Sequence, residues 1–223
     1  MTGDHRPPPL GVRDVVHGDL DLIHGGSVVL LGPSGAGKTR WLRRMLGFGG
    51  RPDELLVAGE PADVREVRAA VAWVPETDGV FLDQTIAANV GAQHAGPTVD
   101  PSVAGAMVDL VGLADRRDDP ASVLTRNERR RVALARGLAL QRPVLVVDGA
   151  LDPQAASRLP LWLVQIPWID AVLSTSTVID ADVEAAPCVA LVDDDRIIAR
   201  GPLDVLRSSD LADVKTVLAW VTP

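Results

Sequence analysis

The sequence predicts an α/β fold with a mostly parallel sheet, and three observations carry that expectation. Short apolar runs rich in Val, Leu and Ile alternate with segments of helical spacing. One such run passes through a glycine-rich turn straight into a helix-like stretch, and another ends on a single acid.

The elements follow in order. Residues 1–9 form a Pro-rich lead-in, and "SVVLL" (27–31), bounded by glycines, reads as a buried strand. "KTRWLRRMLGF" (38–48) has apolar residues at helical spacing and stops near Gly47, Gly49 and Gly50. "AAVAWV" (69–74) reads as a strand closed by Pro75. From about 84 to 115 the pattern is helical, as "TIAANVGAQ" and "PSVAGAMVDLVGLADR", with Gly96 and Pro97 between them. "NERRRVALARGLALQ" (127–141) is a periodic helix leading into the strand "PVLVV". Further strands are expected at 170–176, 188–194 and 196–201, followed by a helical tail from Pro202. The whole, 1–223, reads as one domain carrying an inserted helical lobe at about 84–126.

A hydrophobic content of 47% with 23% charged residues belongs to a globular chain. Aromatics make up only 3%, so the core is expected to be aliphatic. A net charge of −8 argues against nucleic acid as partner, since binding phosphate backbones needs a basic face. Cys188 is the single cysteine, which excludes an intrachain disulfide. "MTGDHRPPPLG" lacks the apolar segment of a signal peptide. The greasiest stretch (159–173) is too short to span a bilayer, so any spanning is left to another chain.

"GPSGAGKT", from Gly32 through Pro33, Ser34, Gly35, Ala36, Gly37 and Lys38 to Thr39, lies between a predicted strand and a predicted helix. That is the context in which a G-x-x-x-x-G-K-[ST] loop binds nucleotide. Backbone N–H groups of the loop turn onto phosphate oxygens, and the helix N-terminus adds its positive dipole end. Lys38 would reach the β- and γ-phosphates of ATP, while the Thr39 hydroxyl would bind Mg²⁺. Only Lys38 and Lys215 are lysines among 22 basic residues, so a lysine at this position stands out against an arginine-rich background.

Around that loop the chain resembles the ATP-binding domain of ABC transporters, most closely the exporter type. "AAVAWVPETDGVFLDQTIAANV" (69–90) is similar to the family's strand, Q-loop and following segment. "LTRNERRRVALARGLALQRPVLVVD" (124–148) is similar to its signature motif, helix and Walker B strand, and "CVALVDDDRIIARGPLDVL" (188–206) to its closing hairpin and helix. The resemblance implies a P-loop core with an inserted α-helical lobe and antiparallel strands. It further implies a transmembrane partner subunit, a second ABC-type domain as homo- or heterodimer partner, and a place on the inner face of the cell membrane. ATP and Mg²⁺ are the implied cofactors.

Carried over residue by residue, the resemblance exposes departures. Asp148 matches the metal-binding acid, but Gly149 stands where the family has the glutamate that works on water. A general-base contribution of roughly 10²–10⁴-fold goes with that side chain. Ser176 falls where the switch histidine belongs, and Glu76 stands for the Q-loop glutamine, a residue still able to bind Mg²⁺. The signature reads Leu124, Thr125, Arg126, Asn127 and Glu128. Two glycines that would permit close approach of a partner's nucleotide are thereby replaced. Two readings of "RNERRR" stand: Arg126 as a phosphate contact, or a solvated face at the start of a helix. Asp152 matches the family's D-loop acid, and His17 is the one substitute for the missing adenine-stacking aromatic. Trp162 and Trp168 are expected to bury against the sheet. Three functions remain open: an ATP-binding subunit with weak hydrolysis, an active ATPase using rearranged residues such as Glu76, or a non-enzymatic scaffold.

Overall fold

The computed structural model describes residues 8–48, 50–92, 99–149 and 163–222. Its centre is a six-stranded sheet made from the most apolar runs of the chain. The strands are β3 (Gly26–Leu31), β6 (Val71–Val74), β7 (Val144–Val147), β8 (Ala171–Ser176), β9 (Cys188–Asp193) and β10 (Arg196–Gly201). They lie in the order β10-β9-β3-β8-β7-β6, with all pairs parallel except β9 and β10, which form an antiparallel hairpin.

Alternation along these strands shows why near-continuous apolar runs were needed. Val144 and Val146 enter one hydrophobic cluster while Leu145 and Val147 enter another on the opposite face. In β3, Val28 and Leu30 face that first cluster, and Val29 and Leu31 face a third. Both faces of the central strands are covered.

The first face is covered by α1 (Lys38–Met45), through Trp41, Leu42 and Met45, and by a small antiparallel sheet. That sheet runs β2-β1-β4-β5 and comprises β1 (Leu10–Arg13), β2 (Leu20–Asp21), β4 (Glu54–Val57) and β5 (Glu60–Pro61). The second face carries α3 (Ile86–Gly91), α4 (Pro101–Leu110) and α5 (Arg126–Leu138), packed through Ile86, Val90, Met107, Val108, Val132 and Leu134. Buried Asn89 ties the segment before α3 to it, accepting from the Phe81 N–H at 2.7 Å and donating to the Phe81 carbonyl at 2.9 Å. The third cluster lies under α6 (Ala181–Ala185), α7 (Leu203–Arg207) and α8 (Ala212–Val221).

Several boundaries differ from the sequence expectation. Ala69 and Ala70 close a helix, α2 (Val64–Ala70), rather than open a strand. Asp63 accepts from the N–H groups of Arg65 and Glu66, and Glu66 accepts from the N–H of Asp63, a capping box that fixes the helix start. The helix begun at Lys38 ends at Met45, where Gly47 turns at φ 75°. The helical tail is two helices, broken at 208–211. Trp168 is partly buried against the core, as expected, whereas Trp162 lies outside the described residues. No helix among the described residues is long and apolar enough to cross a membrane.

Candidate functional site

The glycine-rich segment forms the turn from β3 into α1, and the sheet order sets β8 and then β7 beside β3. The C-terminal ends of these strands therefore bring "GPSGAGKT", Asp148 and the end of β8 to one edge, where ligands bind in open α/β sheets.

The loop is shaped by contact with the β9–β10 turn. The Asp195 N–H donates to the Ala36 carbonyl at 2.9 Å. Gly37 has φ +94°, and a Cβ there would lie 2.7 Å from the Asp195 Cα; a Cβ on Gly32 would lie 2.3 Å from the Val192 carbonyl oxygen. Those two positions accept only glycine. Within the loop the Lys38 ammonium donates to the Gly32 carbonyl at 2.7 Å and to the Pro33 carbonyl at 2.9 Å. Burial pushes Lys38 below the ordinary lysine value, and the nearby charges of Asp148 and Glu76 pull it part of the way back.

Asp148 follows β7 and is 2% exposed. Its Oδ1 accepts from the Thr175 hydroxyl at 3.1 Å, and that hydroxyl accepts from the Gly149 N–H at 2.7 Å. Its Oδ2 is buried with no hydrogen-bond partner. An orphaned buried oxygen on a carboxylate whose charge acts on the lysine of the loop fits a cation. One carboxylate with the Thr39 hydroxyl suits Mg²⁺, which takes phosphate oxygens and waters for its other positions.

Arg130 is a site residue that sequence reasoning missed. It sits in the charged run at the start of α5, yet is only 4% exposed. Its Nη1 donates to the carbonyls of Pro75 and Glu76, the latter at 3.2 Å. Its Nη2 donates to the carbonyls of Asp148 and Gly149 at 2.8 and 3.3 Å. One guanidinium thus fastens the segments after β6 and β7 together. Burial lowers its value, opposed chiefly by the Asp148 charge, and an arginine so placed stays protonated. Arg129 also turns inward, to Asp78 at 3.2 Å and to the Leu124 carbonyl at 2.7 Å. The reading of "RNERRR" as a solvated face is corrected for these two residues. Sequence offered one signal, a helical period that turns every third or fourth residue of α5 toward the core.

The remaining candidates are placed as follows. Glu76 is exposed, with its backbone under Arg130. Ser176 ends β8, and its hydroxyl donates to the Val178 carbonyl at 2.7 Å. Leu124 is buried in the helical cluster, and Arg126 is exposed at the start of α5. Thr125 caps α5 in a capping box: its hydroxyl accepts from the Glu128 N–H, and Glu128 accepts from the Thr125 N–H at 2.8 Å. Those bonds, then Arg116, hold the Glu128 carboxyl below the usual glutamate range. Asn127, the second replaced glycine position, lies in the first turn of the same helix. The His17 ring is tied to Asp14 at 3.0 Å, and its carbonyl accepts from the Trp41 indole at 3.3 Å. Asp152 lies outside the described residues. The structure brings the loop, Asp148, Thr175 and Glu76 together, while Leu124–Glu128 are built into the start of α5.

Comparison with known proteins places the family and the fold. The family model described as ABC transporter matches residues 17–152. An ABC transporter ATP-binding protein of Streptomyces coelicolor is 33% identical over 86% of this chain and 78% of its own length. The sulfate/thiosulfate import ATP-binding protein CysA of Thermosynechococcus vestitus is 34% identical over 77% of this chain; this chain spans about half of that protein, 53%. Among solved structures, cbiO1 of Clostridium perfringens, part of the cbiONQ ABC transporter complex, shares the fold at a TM-score of 0.74. It is 18% identical, over 94% of this chain and 97% of that one. A bacterial Atm1-family ABC exporter with ATP bound gives 0.72 at 22% identity, over 95% and 43%. The chain belongs to the ABC transporter family.

Proposed function

We propose that this chain is the ATP-binding subunit of an ABC transporter complex and that it binds MgATP far better than it hydrolyses it. In this reading it pairs with a transmembrane subunit and a second ABC-type domain at the inner face of the cell membrane. The observation that carries it is the contrast within one strand end. Asp148 is buried with a free Oδ2 beside Lys38, while the next residue, Gly149, has no side chain to work on water.

Each step rests on residues of the loop and its surroundings. The N–H groups of residues 35–39, at the start of α1, receive the phosphates, and Lys38 exchanges its two carbonyl partners for phosphate oxygens. Asp148 and Thr39 would hold Mg²⁺, which would neutralise charge on the phosphates. Thr175 keeps Asp148 oriented. Ser176, with its hydroxyl spent on Val178, supplies no imidazole to the γ-phosphate.

Titration calorimetry with MgATP, followed by hours of product assay, tests this. The expected result is binding that Lys38→Ala weakens at least tenfold, with turnover below the ~1–100 s⁻¹ range of phosphoryl-transfer enzymes. No binding at millimolar MgATP, or fast turnover abolished by Lys38→Ala, would refute it.

A further inference from the structure

Gly149 is not an isolated gap. Its backbone is pinned at φ +79°, with its N–H on Thr175 at 2.7 Å and its carbonyl on Arg130 at 3.3 Å. Side chains other than glycine's are strained there. A Cβ built on it would meet the Glu76 side chain, with Cγ at 3.1 Å and Cβ at 3.6 Å. A Cβ at 149 would therefore press on the stem of a glutamate from the neighbouring strand end, which would have to give way by a few tenths of an ångström. Arg130 holds that glutamate's own carbonyl in place, together with those of Pro75, Asp148 and Gly149. The Glu76 charge also acts on the Lys38 ammonium, behind that of Asp148. Among the described residues no side chain hydrogen-bonds its carboxylate, and the residue is exposed to water.

We propose that Glu76 is the carboxylate that holds the attacking water in this chain, having taken the place that Gly149 leaves empty. The proposal rests on MgATP binding as read above and assigns the slow residual turnover to a residue. The water oxygen bonds to the γ-phosphorus, and the bond from that phosphorus to the bridging oxygen breaks with its electron pair leaving on ADP. Both water protons end on inorganic phosphate, one of them relayed by the Glu76 carboxylate, which is returned unprotonated. Asp148 keeps the metal, so the two acids divide the work between neighbouring strands instead of neighbouring residues.

The test uses the full chain and its Glu76→Gln and Glu76→Asp variants, with MgATP and MgADP as ligands. Glu76→Gln is expected to lower turnover by about 10²-fold. It should tighten MgATP by about threefold, because a negative charge beside the γ-phosphate is removed, and leave MgADP unchanged. Glu76→Asp, one methylene short, should retain part of the rate. Glu76→Gln turnover within twofold of wild type overturns the proposal, as does weaker MgATP binding, which would make Glu76 a metal ligand. No detectable wild-type turnover also overturns it, yet leaves MgATP binding standing; absence of binding overturns that reading instead.

Discussion

Replacing Arg130 by methionine removes the guanidinium and keeps most of its buried stem. Four carbonyls then lose a charged donor, chief among them those of Pro75 and Asp148. Hydrogen bonds to a charged group contribute about 1.5–3 kcal/mol each, so the two give a gross loss of about 3–6 kcal/mol. Relief of the cost of burying a charge takes part of this back. No carboxylate is left stranded, because all four acceptors are backbone carbonyls, and the exposed flank at Glu76 admits water to some of them. A net loss of about 3 kcal/mol is expected. With a urea slope of about 2 kcal/mol/M, the unfolding midpoint falls by roughly 1.5 M. Equilibrium urea unfolding followed by circular dichroism, wild type against Arg130→Met, reads this directly. A midpoint shift under about 0.3 M at unchanged slope would show that the guanidinium clamps nothing, and the coupling of the two strand ends would have to be abandoned.

Two further outcomes follow from the same geometry. Gly37→Ala combines a positive-φ cost of about 1–2 kcal/mol with a Cβ set 2.7 Å from the Asp195 Cα, so the melting temperature should fall by roughly 6–12 °C. Gly35→Ala, at φ +84° with no atom within 4 Å, should lose only the backbone part; equal losses would contradict the packing argument. Asp14 is 4% exposed, and burial alone would raise its carboxyl, but hydrogen bonds from His17 and Arg44 hold it below the usual aspartate range. With the folded value depressed, the unfolded state binds more protons in the interval between the two. The stabilisation is thus full above the ordinary value of 3.8 and is lost as pH falls through the lower folded value. Asp14→Asn should flatten the acid limb of a stability–pH curve measured by denaturant titration, and superimposable limbs would count against the pairing.

Much of the fold was legible because it rests on periodicity. The runs "SVVLL", "PVLVV", "DAVLSTS" and "CVALVDD" have the apolar continuity that only strands covered on both faces require, and each is a strand of the six-stranded sheet. The phosphate loop was legible for a similar reason: its glycines and lysine are local in sequence. The small antiparallel sheet was harder to see, since its strands of two to four residues carry too little pattern to stand apart from turns. Helix α2 was hidden because its apolar residues continue into β6 without a break, and only the Asp63–Glu66 capping pair marked it.

By itself the sequence determined which residues are available at the site: a G-x-x-x-x-G-K-T loop, an acid closing an apolar run, and a glycine directly after that acid. Tertiary structure alone decided that Arg130, in a run that looks like solvent-facing charge, is buried across two strand ends, because helix α5 rotates that one position onto the sheet. It also decided that Gly149 and Glu76, far apart in the chain, lie in contact, with a Cβ built on Gly149 3.1 Å from the Glu76 Cγ. Parallel pairing of β6 with β7 sets Val74 opposite Val147, so the residues that follow emerge side by side at the same edge. Sequence separation carries no trace of that register, and the register is what brings the two positions together.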